Sequence, residues 1–208
     1  MTLSNWADVA TIVGSLAFVG IAIQVGLAYQ QLKADHERSR REKSVELLIE
    51  WTKQIKKEGS VARKIIETFD AEQCRELVNQ QEIKIAKKHK KLLSEFFEGN
   101  GFEEGEGAEE NDNDITLSES QSAELRWHAV SYLNSLESVL VAWQYSVVDR
   151  DVIEQQFSYL FKPADGHAAL HDFRVAAGGE KSYPAIEVFS NHVEENRRKS
   201  LNQKANIA

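Results

Sequence analysis

"NWADVATIVGSLAFVGIAIQVGLAYQQLK", Asn5 to Lys33, decides how the chain is read. Between Asp8 and Lys33 it carries no charged residue, and from Val9 to Tyr29 there are 21 residues whose one ionisable group is a tyrosine. As a helix rising about 1.5 Å per residue, that run covers roughly 30 Å, the thickness of a bilayer's hydrocarbon core. Trp6 and Tyr29 bracket it, and their amphipathic rings suit the two headgroup layers. A secretory signal needs a positive start, a shorter apolar core and a small-residue cleavage site. Here no Lys or Arg precedes the run, and Asp8 is acidic. Basic residues follow it instead, at Lys33, Arg38, Arg40, Arg41 and Lys43. Such a flank stays on the cytoplasmic side, which puts residues 1–8 outside as a short extracytoplasmic tail. The expectation is a transmembrane helix over 9–29 in the inner (cytoplasmic) membrane, with the C-terminal domain in the cytoplasm. A buried helix of a water-soluble bundle is the competing reading; the length, the missing charge and the asymmetric flanks weigh against it.

Inside the span Val9, Gly14, Gly20, Gln24, Gly26 and Tyr29 mark its ends, its small positions and its one amide. Ala10 and Gly14 are four apart, as are Ala22 and Gly26, and such pairs let helices approach closely in lipid. Gln24 offers an inter-helix hydrogen bond worth about 0.6–2 kcal/mol. Ala10, Gly14, Ala22 and Gly26 are therefore the candidate oligomer face, and a homo-oligomer paired like a coiled coil is expected. No Gly or Pro interrupts the sequence between Gly26 and Gly59. A charged juxtamembrane helix is thus expected over 30–58, with Val45, Leu48, Ile49, Thr52 and Ile55 on one face.

The remainder, 59–208, reads as a cytosolic helical domain. The 208 residues include only two prolines, helix formers dominate, and no run with the period of a strand stands out. The fold class expected is all-α, an N-terminal transmembrane helix continuing into a cytosolic helical bundle. A single cysteine, Cys74, excludes an intrachain disulfide and fits a reducing compartment. The net charge of −8 is concentrated: nine acids and no Lys or Arg lie between Glu95 and Asp114, so the rest of the chain is near neutral. "GNGFEEGEGAEENDND" within 99–115 buries too little apolar surface to offset its ordering entropy and is expected to be a flexible acidic loop.

Punctuation places the helices. Glu58-Gly59-Ser60 suggests a break. Asp70 with Gln73 makes a capping box, and its helix is expected to run through "KIAKKHKKLLSEFF" to Gly99. Thr116 with Glu119 offers another capping box. The helix after it is the clearest, with Ala129, Tyr132, Leu133, Leu136, Val139, Leu140, Trp143 and Val147 at spacings of three and four. Asp149 or Asp151 caps the next, Pro163 breaks it, and "HAALHDFRVAAGG" forms a short helix. Pro184 opens the last, with Ile186, Phe189 and Val193 inward.

Trp6 three residues before Val9, the single span, the Gln-rich exit and "YLNSLESVLVAWQYSVVDRDVIEQQF" together resemble a broad group of bacterial membrane-anchored helical proteins classed as a domain of unknown function. Tyr183-Pro184 matches the Tyr-Pro pair near which that group's domain ends, and the acidic insert at 99–115 departs from it. The resemblance implies architecture and brings no site residues.

Few residue patterns point to chemistry. His167 and His171 are four apart, which is metal-ligand spacing on a helix, but Ala-Ala-Leu stands between them where a zincin carries its glutamate. They are weak metal candidates beside a default of local polar contacts. Lys84, Lys87, Lys88, Lys90 and Lys91 suit a solvated helix face or, with Arg38, Arg40 and Arg41, contact with anionic lipid. Without interleaved aromatics they give only a weak nucleic-acid signal. The acidic loop that follows could fold back and mask them. Counted from Asp112 as a calcium loop, the sixth and twelfth positions are Leu117 and Ala123, which excludes an EF-hand. Cys74 reads as a structural thiol, and Trp51, Trp127 and Trp143 as core residues. No phosphate loop or nucleophile elbow occurs, so no cofactor and no catalytic residue is expected. The function expected is a membrane-anchored interaction protein with an unknown protein partner: a scaffold, sensor or partner-gated effector. Alternatives are a membrane-perturbing effector of a toxin or phage-defence system, and a metal-dependent enzyme using His167 and His171.

Overall fold

The computed structural model describes residues 3–55, 57–97, 114–162 and 167–205, with side chains from Phe18 to Gln203. Helix α1, Leu3–Gln54, is continuous over 52 residues and about 78 Å long. Every residue from Phe18 to Lys43 is exposed. Among the described residues no helix is long and apolar enough to cross a membrane. The apolar run opens at Val9, upstream of the first described side chain, Phe18.

The remaining helices form one bundle. They are α2 (Lys57–Ile66), α3 (Ala71–Val78), α4 (Lys90–Phe96), α5 (Glu119–Gln144), α6 (Arg150–Phe157), α7 (His171–Ala176) and α8 (Pro184–Ala205). The central one is α5, which packs against α1, α2, α3, α6 and α8. Its expected stripe is buried from Ala129 through Trp143, while Val147 lies past the helix end and is exposed. Ile153, Phe157, Leu160, Phe161, Ile186 and Phe189 close the core as expected. Trp127 does not join them: it is 64% exposed, two residues out of phase with Leu125 and Ala129. Trp51 is half-buried, edge-on to Tyr132 and Phe157 at 5.5 and 5.1 Å.

The break after α1 falls at Ile55, and Gly59 lies inside α2. Asp70 caps α3 with Gln73 in a full capping box. That helix then ends at Val78 instead of running on to Gly99. Gln80 takes a left-handed φ of 56°, and the Gln81 N–H bonds back to the Glu76 carbonyl, a helix stop made without glycine. Two short strands follow, β1 (Ile83–Ala86) and β2 (Asp114–Leu117), antiparallel with Ile83 opposite Leu117 and Ala86 opposite Asp114. Ile83, Ile85, Ile115 and Leu117 are buried while Lys84 and Thr116 face out, so period-two patterning holds the pair together. Thr116 therefore belongs to a strand. The cap of α5 is Ser118, with Gln121 completing the box. Most of the acidic segment and Pro163 lie outside the described residues.

Candidate functional site

Three regions matter: the joint between α1 and the bundle, the basic surfaces, and a cavity. At the joint Ser44 is fully buried. Its Oγ donates to the Arg40 carbonyl at 2.8 Å and accepts the Asp149 N–H at 2.9 Å. Asp149 caps α6 by accepting the Asp151 N–H, and it also receives Arg41 Nε at 3.2 Å. The long helix thus holds the N-terminus of α6 through one serine and one ion pair. Leu47, Leu48, Trp51 and Ile55 pack below, whereas Val45 and Ile49 stay exposed. The inward face is therefore rotated from the one expected.

The basic residues do not share one helical face. Lys84 lies on β1, Lys87 and Lys88 on a 3₁₀ turn (Lys87–His89), and Lys90 and Lys91 open α4. All five are exposed. Burial and the neighbouring Lys88 lower the His89 pKa. On α1, Arg38 pairs with Glu42 at 2.9 Å, and Arg38, Arg40 and Arg41 are exposed. The segment expected to mask them is outside the described residues, but the chain returns from it on β2, directly beside Lys84.

His167 and His171 do not sit on one helix. His167 precedes the turn Ala169-Leu170, whose two residues have φ of 46° and 55°, and His171 opens α7 beyond it. His167 Nδ1 lies 3.2 Å from Arg63 Nη1. A guanidinium only donates, so in this contact Nδ1 is on the accepting side. Arg63 also donates to Glu67 Oε2 at 2.6 Å. Among the described residues no group of three or more His, Cys, Asp or Glu is placed to hold a metal; Asp165 lies outside them.

The cavity, about 350 Å³, lies between the ends of α2 and α3, α7 and α8. Ile66, Phe69, Phe161, Leu170 and Phe173 give it apolar walls; Glu67, Asp172 and Arg174 give it charge. Arg174 is buried, donates Nε to the Ala169 carbonyl at 2.9 Å and Nη1 to Glu187. Burial lowers its pKa and Glu187 opposes that shift. Its bond to Ala169 braces the left-handed turn, whose two non-glycine residues cost of order 1–3 kcal/mol each. Cys74, also on the wall, is buried, and burial pushes its thiol up to about 12 with help from Asp172 and Asp70. The i, i+4 spacing of Arg63 and Glu67 was the sequence signal for this cluster, but Glu137, which accepts the Ala185 and Ile186 N–H groups at the start of α8, had none.

No protein-family model, no curated protein and no solved structure matches this chain. The likeness to membrane-anchored helical proteins rests on the quoted residues alone.

Proposed function

We propose that the chain is a single-pass membrane-anchored interaction protein of the inner (cytoplasmic) membrane, its N-terminus outside and its helical domain in the cytoplasm. The observation that carries this is α1, one helix with the apolar run at one end and the docked segment Ser44 to Ile55 at the other. Phe18, Val19, Ile21, Ile23, Val25 and Leu27 are exposed all round it. A helix apolar on every side calls for a non-aqueous surrounding, and the residues back to Val9 complete a bilayer's length. The domain works as a scaffold, sensor or partner-gated effector, by binding and without catalysis. A partner that alters how α1 packs on α5 and α6 would be felt in the span.

Self-association through the span is part of this reading, with one refinement. At 100° per residue a continuous helix sets Ala10 and Gly14 roughly 120° around the axis from Ala22 and Gly26. A single straight seam takes one pair, and Ala22 with Gly26 is assigned here because Gly26 has open space around it, while Gln24 lies on the opposite face of the helix. The test of the anchor is carbonate extraction of membranes with reporters fused at the C-terminus. Retention in the pellet with a cytoplasmic C-terminus is expected. Release into the soluble fraction would make residues 9–29 a buried helix of an assembly and end the membrane reading.

A further inference from the structure

We infer that the C-terminal part of α8 is a second membrane contact, with Arg197, Arg198 and Lys199 held against the anionic phospholipid of the leaflet that α1 enters. This rests on the reading of α1 as a membrane anchor. Direction comes first. On its way towards the span, α1 passes along α5 from the N-terminal half to the C-terminal end. Gln54 and Ile55 line a pocket with Trp127 and His128, Trp51 packs on Tyr132, and Ser44 holds the Asp149 N–H just beyond α5. Helix α8 runs the same way. Glu137 accepts the N–H groups of Ala185 and Ile186, and further along the rings of Phe189 and His192 lie 4.8 and 5.1 Å from that of Trp143. Both helices therefore leave the bundle at the C-terminal end of α5, the end that faces the span.

Length and charge then agree. Val193 packs on the core, and every residue from Glu195 to Gln203 is exposed. A short helix end without packing is marginal in water, so this one gains from a surface to bind. Along α1, Ser44 stands about 22 Å from Tyr29, and a headgroup layer of roughly 5–7 Å leaves about 16 Å of that in water. Arg197 to Lys199 lie about 6–9 Å beyond Val193 along α8. The remaining distance of about 7–10 Å is within reach of long basic side chains and close to the Debye length of about 8 Å. The chain carries −8, yet no acid follows Glu195, whereas Arg197, Arg198, Lys199 and Lys204 do. Arg197 and Arg198 pair with Glu194, and Lys199 with Glu195, in exposed contacts that contribute little and are readily exchanged for lipid phosphate. The lysine-rich group lies elsewhere. Lys84 stands opposite Thr116 just before the cap of α5 at Ser118, and α4 meets His128 through Phe96 at 5.2 Å. That group sits at the N-terminal end of α5, away from the span, and provides a control.

The test uses the full chain in vesicles of phosphatidylcholine, alone or with about one third phosphatidylglycerol, their headgroups carrying an energy-transfer acceptor. The donor is attached at Ser200→Cys in a Cys74→Ala background. Near an anionic leaflet each net positive charge favours contact about fivefold. Phosphatidylglycerol should therefore raise the ratio of docked to free α8 ends between about fivefold, for one net charge after Glu194 and Glu195, and about a hundredfold, for three cations. Salt at about 1 M should remove the gain. The triple change Arg197→Gln, Arg198→Gln and Lys199→Gln, all at exposed positions, should remove it too, while Lys84→Gln, Lys87→Gln and Lys91→Gln together should keep it. Transfer that ignores phosphatidylglycerol, a gain that survives the α8 triple change, or an equal loss in the control would each overturn the assignment. A chain that carbonate strips from the vesicles ends the anchor reading and this contact with it; a chain that stays but shows no gain ends this contact alone.

Discussion

Replacing Ser44 by alanine tests the joint between α1 and the bundle. The change removes one oxygen that makes two bonds, to the Arg40 carbonyl and from the Asp149 N–H. The first is a helix back-bond whose carbonyl keeps its place in α1, so little is lost there. The second matters more. With Ser44 fully buried, water has no ready path to the Asp149 N–H, and a donor left unpaired costs about 1–3 kcal/mol. Each kcal/mol lowers Tm by about 2–4 °C in a chain of this size, so the expected fall is roughly 2–12 °C. Arg41→Ala is the control. Its pair with Asp149 at 3.2 Å has Arg41 68% exposed, so screening holds its contribution to about 1 kcal/mol or less. Trp51, packed on Tyr132 and Phe157, reports the docking by its fluorescence during melting in detergent. If Ser44→Ala melts with the parent, or Arg41→Ala costs more than Ser44→Ala, the serine is not what holds the joint.

Glu137 accepts the N–H groups of Ala185 and Ile186 at 2.8 and 2.9 Å, capping α8 from another helix. Glu137→Ala should cost about 1–2 kcal/mol in urea melts and Glu137→Gln less; equal costs would contradict a capping role. Cys74 should resist maleimide in the folded protein and react on unfolding, and labelling at the unfolded rate at pH 8 would show the thiol is not buried. Because the folded thiol ionises near 12 and the unfolded one near its ordinary 9.0, the folded state holds its proton longer. This contribution to stability is complete below pH 9 and declines as pH rises from about 9 to 12, a decline that Cys74→Ala should reduce in pH-dependent melts. In membranes, Ala22→Cys should form a disulfide-linked dimer on mild oxidation and Ala10→Cys should not; the reverse pattern would move the seam to the other pair.

The fold was legible wherever period and punctuation agreed. The stripe from Ala129 to Trp143, the Asp70 capping box and the Asp149 cap all combine a repeat with a polar start, and each is present. The errors cluster between Val78 and Ser118. There the helix stop uses Gln80 in a left-handed conformation, which composition does not announce. The strands are four residues each, too short for alternation to outweigh helix formers on both sides. The face of α1 was misjudged because Val45 and Ile49 are apolar but exposed, while a serine is buried. Apolarity alone does not reveal a side chain buried for its hydrogen bonds. The same holds for the cavity: Arg63 holds His167 just before the turn at Ala169-Leu170 and Arg174 holds Ala169 within it, and no spacing in the sequence encodes that turn.

Tyr132 gives the sharpest check on the buried polar cluster. Its ring packs edge-on to Trp51 at 5.5 Å, and its hydroxyl is buried with no hydrogen-bond partner among the described residues. The hydroxyl is close enough to Arg63 and Glu67 for both to influence its ionisation. Tyr132→Phe keeps the ring and removes an unpartnered polar atom. Deleting such a group removes a desolvation cost instead of a bond, so stability should stay unchanged or rise by up to about 1 kcal/mol. Tyr132→Ala, by contrast, should cost about 3–5 kcal/mol through lost packing. The measurement is a urea melt of the three proteins under one set of conditions. A loss above about 1 kcal/mol in Tyr132→Phe would mean that the hydroxyl does have a partner. An unsatisfied acceptor within its electrostatic reach is Glu67 Oε1, reached after a small shift or through a buried water. Glu67 would then be satisfied from within the buried cluster. A neutral or stabilising result leaves both oxygens without a partner among the described residues.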